Sequence, residues 1–293
     1  MSANLYALGA IALWACLAAL GVALKHVPPF LLTGLALIVG SVLAWPLVLR
    51  ERQSWRVSLP VLGLGVLTLF GFHFFLFIAL RLASAVEVNL VNYLWPLLIV
   101  VLAPLYLPKT PWRARYVIAA LVGFAGAAIA IWSASTGAAT PSAAAAAPAP
   151  GGSAWGYVLA LSSALIWANY SLQTKRLAMT GHGFPTAAIG LFGLVSGALS
   201  LVCHAALEPA TTLSASDGGL ILAMGLGPLG AAFYWWDKAL KLGDTRHIGL
   251  LSYLTPLAST VLLMLVTGRS LTWSIALAAA LIIGAAVAGT RRL

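Results

Sequence analysis

Asn89 and Asn92 stand three residues apart in the stretch Val88-Asn89-Leu90-Val91-Asn92-Tyr93-Leu94-Trp95-Pro96, within one of the most apolar parts of the chain. Residues three apart share one helix face, so the two amides form a fork able to bind the polar head of a zwitterion. An unpaired amide in hydrocarbon costs on the order of several kcal/mol, and that face must therefore point into a bundle. Interhelical hydrogen bonding, at about 0.6 kcal/mol per contact, is the structural use of the same residues.

The aromatic set is also unusually dense: Trp14, Phe70, Phe72, Phe74, Phe75, Tyr93, Trp95, Trp167, Tyr170, Phe233, Tyr234, Trp235 and Trp236. Trp45, Trp55, Trp112, Trp155 and Trp273 fall near the ends of apolar runs, where interfacial tryptophans belong. Trp14 and Trp167 fall in the middle of theirs. A deep tryptophan suits a cavity wall, offering flat apolar area and one indole donor, and such walls attract ring side chains and ammonium groups alike. The expected substrate contacts are Trp14, His73, Asn89, Asn92, Tyr93, Trp95, Trp167, Tyr170, Tyr234, Trp235 and Tyr253. His73 lies inside a run, as hydrogen-bonded structure or as a proton or substrate contact. Lys238, near a run's end beside Asp237, is read as a local ion pair or as an entrance that attracts a carboxylate. Pro96 and Pro256 remove a backbone donor and kink their helices, which makes them candidate hinges.

Other chemistries find no residues. There is no GxxxxGK[ST] phosphate loop, no His/Cys set at metal-ligand spacing and no legible Ser/His/Asp arrangement. No cofactor, no metal and no enzymatic activity is expected. Cys16 and Cys203 lie inside apolar runs as small hydrophobes.

The elements that must position these residues are transmembrane helices. Hydrophobic residues make up 62% of the 293 and charged residues 8%, with a mean hydropathy of +1.01. A soluble domain carries about 25% charged residues. The apolar runs are continuous rather than alternating, which excludes a barrel. Ten runs can each cross a hydrocarbon core of about 30 Å: 4–24, 29–49, 59–80, 84–106, 114–133, 154–174, 185–206, 218–238, 247–266 and 271–289. The first lacks a basic n-region and reads as a mature helix rather than a signal peptide.

The net charge of +10 follows from topology rather than from binding nucleic acid. Arg50, Arg52, Arg56, Lys109, Arg113, Arg115, Lys175, Arg176, Lys238, Lys241, Arg246, Arg291 and Arg292 fall on one side of the ten runs. Lys25, Arg81 and Arg269 fall on the other. The positive-inside rule places the thirteen, and both termini, in the cytoplasm.

The chain also repeats. "ALRLASAVEVNLVNYLWPL" at 79–97 aligns without a gap, at an offset of 160, to "ALKLGDTRHIGLLSYLTPL" at 239–257. Tyr93 and Pro96 recur as Tyr253 and Pro256, whereas Asn89, Asn92 and Trp95 do not recur. Leu13-Trp14-Ala15 is echoed by Ile166-Trp167-Ala168. A charge-free Ala/Pro/Gly/Ser linker at 134–153 divides the chain into repeats at 1–133 and 154–293, the linker reading as flexible and extracytoplasmic. Five spans per half is an odd number, so the second half enters the membrane inverted, the architecture of secondary transporters.

On these residues the chain resembles the drug/metabolite transporter superfamily, EamA type, and within it the YddG aromatic amino-acid exporters. The resemblance implies an all-α integral membrane fold of ten helices, two inverted five-helix repeats around a central cavity in the inner membrane. It implies export of amino acids, aromatic or otherwise bulky and neutral, by alternating access, with the bilayer as surroundings and a monomer as the working unit. Export as the direction comes from the resemblance alone. An efflux transporter for organic cations is the alternative, using the same aromatic walls; the scarcity of mid-membrane acids weighs against it. Helices 1, 3, 4, 6, 8 and 9 are the expected cavity walls, with helices 5 and 10 as scaffold.

Overall fold

The computed structural model describes residues 1–50, 55–136, 153–267 and 272–290. Every regular element among the described residues is helical. In chain order the helices are α1 (Ala3–Ala23), α2 (Pro29–Arg50), α3 (Leu59–Leu82), α4 (Ala85–Tyr106), α5 (Ala114–Thr136), α6 (Ala154–Met179), α7 (Ala188–Leu207) and α8 (Ala215–Leu242), then α9 (245–267) and α10 (Trp273–Thr290). Most of the linker, together with Arg52, Arg269, Arg291 and Arg292, lies outside the described residues.

Seven of these helices, α1 to α5, α7 and α8, are long and apolar enough to cross a membrane. The α6 helix is 26 residues long but more polar, and its Ser163, Ser171 and Thr174 are buried. A helix with polar groups turned inward runs through a bundle rather than along lipid. It packs against α3, α4 and α8.

Small residues bring backbones together, as expected where hydrocarbon gives no hydrophobic drive between helices. The α2 helix packs along α7 and α8, and α5 along α10. A Cβ added at Gly197 would come 2.8 Å from the Gly34 carbonyl oxygen, and one at Gly40 would come 2.8 Å from those of both Gly225 and Leu229. Gly193 and Gly197, a GxxxG within α7, thus serve internal packing against α2.

The interruptions carry more information than the helices. In α3 the turn Leu67–Gly71 is π-helical, and in α8 the turn Gly227–Ala231 is too. α4 breaks at Tyr93 and Leu94, and α9 at Ser252 and Tyr253. Ser84 caps α4 by accepting the Glu87 N–H, and Asp244 caps α9 by accepting the Arg246 N–H. Each pair stands at or within one residue of the offset of 160 found in the sequence. Pro96 and Pro256 open the helical segments that follow the two breaks, where a missing N–H costs no ladder bond. Proline accounts for these two breaks, and Pro228 lies in the α8 π-turn, whereas nothing in residue type announced that of α3.

The ends of the bundle are pinned by polar contacts. α2 begins after Pro28, which has no side chain to cap it. Its first N–H groups, from Phe30 and Leu31, donate instead to the two carboxylate oxygens of Glu208 at 2.9 and 3.1 Å. Such orphan N–H groups at the positive end of a helix favour an anion. His204 and Arg81 meet the same carboxylate at 3.0 and 3.6 Å. At the other end, partial burial opposes ionisation of Asp244, yet its bonds with Arg246 hold the carboxyl below the usual range.

Candidate functional site

The α6 sequence places Ser163, Trp167, Tyr170 and Ser171 at three- and four-residue spacings on one face. All four are buried. Trp14 from α1, Trp95 from α4, and Phe233 and Trp236 from α8 converge on that face. Ring centroids lie 5.6 Å apart for Trp14–Trp167, 5.2 Å for Trp14–Trp236, 5.6 Å for Trp95–Trp236 and 5.7 Å for Trp167–Phe233. Phe72 from α3 closes the set at 5.5 Å from Trp167. Edge-on and tilted geometries predominate, the arrangement in which a ring's positive edge meets a neighbour's negative face.

The indole donors in this cluster are unequally satisfied. Trp14 Nε1–H donates to the Pro228 carbonyl at 3.1 Å. Trp236 Nε1–H donates to Ser171 Oγ at 3.3 Å, and Ser171 Oγ donates in turn to the Trp167 carbonyl at 2.9 Å. Trp167 Nε1 is buried and has no hydrogen-bond partner among the described residues.

Polar groups frame the aromatics on two sides. Asn92 Nδ2 donates to Ser163 Oγ at 3.0 Å, and Ser163 Oγ donates to the Phe72 carbonyl at 3.1 Å, so α3, α4 and α6 are tied by one relay. Beside Trp236 on the same helix, Asp237 is fully buried. Its Oδ2 accepts from Thr186 at 2.6 Å and from Lys241 at 2.7 Å. Lys241 also donates to the Phe184 carbonyl at 2.7 Å and sits 4.2 Å from the Phe184 ring centroid.

Of the residues expected to contact substrate, Trp14, Trp95, Trp167 and Tyr170 are brought together, and Asn92 borders them. Asn89, one turn away, is exposed. Tyr93 sits half-buried at the α4 break. His73 abuts Phe72 at 5.1 Å between ring centroids, with Nδ1 2.6 Å from the Leu69 carbonyl oxygen of the α3 π-turn.

Other expected residues lie elsewhere. Tyr234 donates to the Gly40 carbonyl at 3.2 Å, strapping α8 to α2. Trp235 lies over Gly9, its ring 2.7 Å from where a Cβ would be. Tyr253 is fully buried in a separate core with Ala127, Leu257 and Ile282, against Gly123. Lys238 is exposed, 5.4 Å from the Tyr6 ring. The ion pair expected between Asp237 and Lys238 is made with Lys241 instead, because a residue four places along a helix shares the face and an adjacent one does not. Phe233 and Trp236 displace Tyr234 and Trp235 from the cluster for the same reason. The spacing could have revealed it: residues 233, 236, 237 and 240 form a helical stripe, and all four are buried.

Flat apolar walls, a buried indole donor and bordering amide and hydroxyl groups suit a small molecule with a ring and a polar head. Among the described residues no group of His, Cys, Asp and Glu is placed to hold a metal ion.

The chain is similar to known proteins over nearly its whole length. The model of the EamA-like transporter family matches residues 1–132 and 154–289. The aromatic amino acid exporter YddG of Ancylobacter novellus is 38% identical over 298 residues, covering 99% of this chain and 97% of the relative. A solved crystal structure matches with a TM-score of 0.87 at 37% identity, covering 99% of both chains.

Proposed function

The chain belongs to the EamA-like transporter family, and from that premise we propose that it exports amino acids, aromatic and other bulky neutral ones, by alternating access across the inner membrane. The observation that carries the reading is the buried cluster of Trp14, Trp95, Trp167, Phe233 and Trp236, contributed by helices on both sides of the linker. An aromatic side chain exchanges stacking partners there at little cost, while Asn89 and Tyr170 supply polar contacts for its amino-acid head. The relative's name, an aromatic amino acid exporter, points to the same substrate class.

The architecture proposed is ten helices in two inverted repeats, residues 1–133 and 154–293, joined by a linker at 134–153, with both termini cytoplasmic. Support comes from the paired interruptions in α3 and α8 and in α4 and α9. It comes also from reciprocal packing: α1 lies on α8 as α6 lies on α3, and α2–α7 and α5–α10 are pairs of equivalent helices. Odd-numbered repeats of this kind put the substrate site at their interface. Pro96 and Pro256 would serve as hinges beside the two breaks. Asn92 and Tyr253 act mainly through the packing of the helices that carry the site.

The test is uptake of labelled amino acids into liposomes containing the purified protein, with and without a pH gradient. Counterflow of phenylalanine, tyrosine or tryptophan is the expected result. Movement of a quaternary ammonium compound with no amino acid moving would replace the proposal by organic-cation efflux.

A further inference from the structure

Trp14 and Trp167 hold corresponding places in the two halves, each following an apolar residue and preceding alanine. Each helix also rests on a π-turn of the other half. The Leu13 side chain lies 3.6 Å from where a Cβ on Gly227 of the α8 turn would stand, and that of Ile166 lies 3.8 Å from one on Gly71 of the α3 turn. Trp14 donates its indole N–H to Pro228 in the α8 turn. The offset of 160 that relates the turns carries Pro228 to Thr68, which is fully buried in the α3 turn. Yet Trp167 Nε1–H has no hydrogen-bond partner among the described residues. One half is latched and its counterpart is not.

In a transporter built from inverted repeats, the opposite-facing state is reached when the two halves exchange conformations. A bond made in one half only then has its mate in the other state. We propose that Trp14 and Trp167 are alternating latches. In the present state Trp14 bonds the Pro228 carbonyl. In the opposite-facing state Trp167 bonds the Thr68 carbonyl and Trp14 lets go. The proposal rests on the alternating-access reading above.

The π-turns make the exchange feasible. A π-turn interrupts the i→i−4 ladder, so an outside donor can engage or leave a carbonyl there without unwinding the helix. The Thr68 hydroxyl is committed to the Leu64 carbonyl at 2.7 Å. His73 holds the Leu69 carbonyl at 2.6 Å, so the α3 turn in this state is held from within its own helix. A buried donor with no acceptor is costly, and that cost poises Trp167 to move.

The experiment replaces Trp14 or Trp167 with β-(3-benzothienyl)alanine, which keeps the ring and substitutes sulfur for N–H. Trp14→Phe and Trp167→Phe serve as genetically encoded counterparts. Spin-label pairs across the cytoplasmic and the outer ends of the bundle, in a background lacking Cys16 and Cys203, report the populations of the two states. Removing the Trp14 N–H should lower the ratio of the present state to the opposite one by about three- to tenfold, the change expected for one hydrogen bond. Removing the Trp167 N–H should shift the same ratio the other way by a similar factor, and removing both should return the balance near that of the unmodified protein.

If the unmodified protein stays in one state with and without phenylalanine, alternating access itself falls and the latch with it. If it switches but the two single replacements shift the balance in the same direction, or not at all, only the latch is overturned. Weaker phenylalanine binding by the Trp167 replacement with unchanged populations also overturns it, assigning that N–H to a substrate carboxylate.

Discussion

Substituting Lys241 by methionine should destabilise the protein far more than neutralising its partner. Lys241 Nζ lies 2.7 Å from Asp237 Oδ2, with the aspartate side chain 0% exposed and that of the lysine 17%. At that distance, with an effective dielectric constant near 20, the Coulomb attraction is about 6 kcal/mol. Desolvating each ion costs several kcal/mol, so the pair adds little net stability. Breaking it is another matter. Lys241→Met leaves a buried carboxylate with only the Thr186 hydroxyl, and a loss of about 3–5 kcal/mol is expected. Asp237→Asn keeps an acceptor for Thr186, and Lys241 retains the Phe184 carbonyl and some access to water. About 1–2 kcal/mol is expected there.

Combining the two substitutions removes the stranded charge. The double variant should therefore recover at least about 2 kcal/mol relative to the sum of the singles. Midpoints of SDS-induced unfolding in mixed micelles, with thermal midpoints as a second readout, measure all three variants. Additive losses, or a Lys241→Met variant no less stable than Asp237→Asn, would refute the reasoning that Asp237 is charged and dependent on this lysine.

Further outcomes follow from the same geometry. Asn92→Ala should cost about 1–2 kcal/mol, because it ends the relay through Ser163 to Phe72. Asn89→Ala should leave unfolding unchanged and lower amino-acid flux, so comparing unfolding midpoints with liposome uptake separates the two amides. Gly40→Ala should sharply reduce the yield of folded protein on size-exclusion chromatography. The added methyl would meet the Gly225 and Leu229 carbonyls, which are backbone atoms and cannot rotate away. Trp236→Ala, removing a fully buried ring from the cluster centre, should cost about 3–5 kcal/mol and abolish transport, whereas Lys238→Gln should change neither.

The all-helical membrane class was legible in the chain because hydrocarbon leaves a spanning sequence few options. Backbone groups must be satisfied within each segment, so apolar length reports the crossings directly. The deep tryptophans and the Tyr93/Tyr253 and Pro96/Pro256 correspondence were equally readable, since they needed only position along a run. Facing was harder. Four consecutive residues, Phe233 to Trp236, point in four directions around a helix, and the sequence favoured Tyr234 and Trp235 where burial chose Phe233 and Trp236.

The residues alone settle the class of protein and the aromatic character of its interior. These follow from composition and periodicity, which local chemistry controls. Packing alone settled that Glu208 caps α2 across 177 and 178 residues of chain, that Asp237 belongs to Lys241, and that Trp14 reaches Pro228 while Trp167 reaches no acceptor among the described residues. Each depends on which helix faces which, and on π-turns that shift the facing residues around the axis. No residue's type encodes that; it is fixed only when all the helices pack at once.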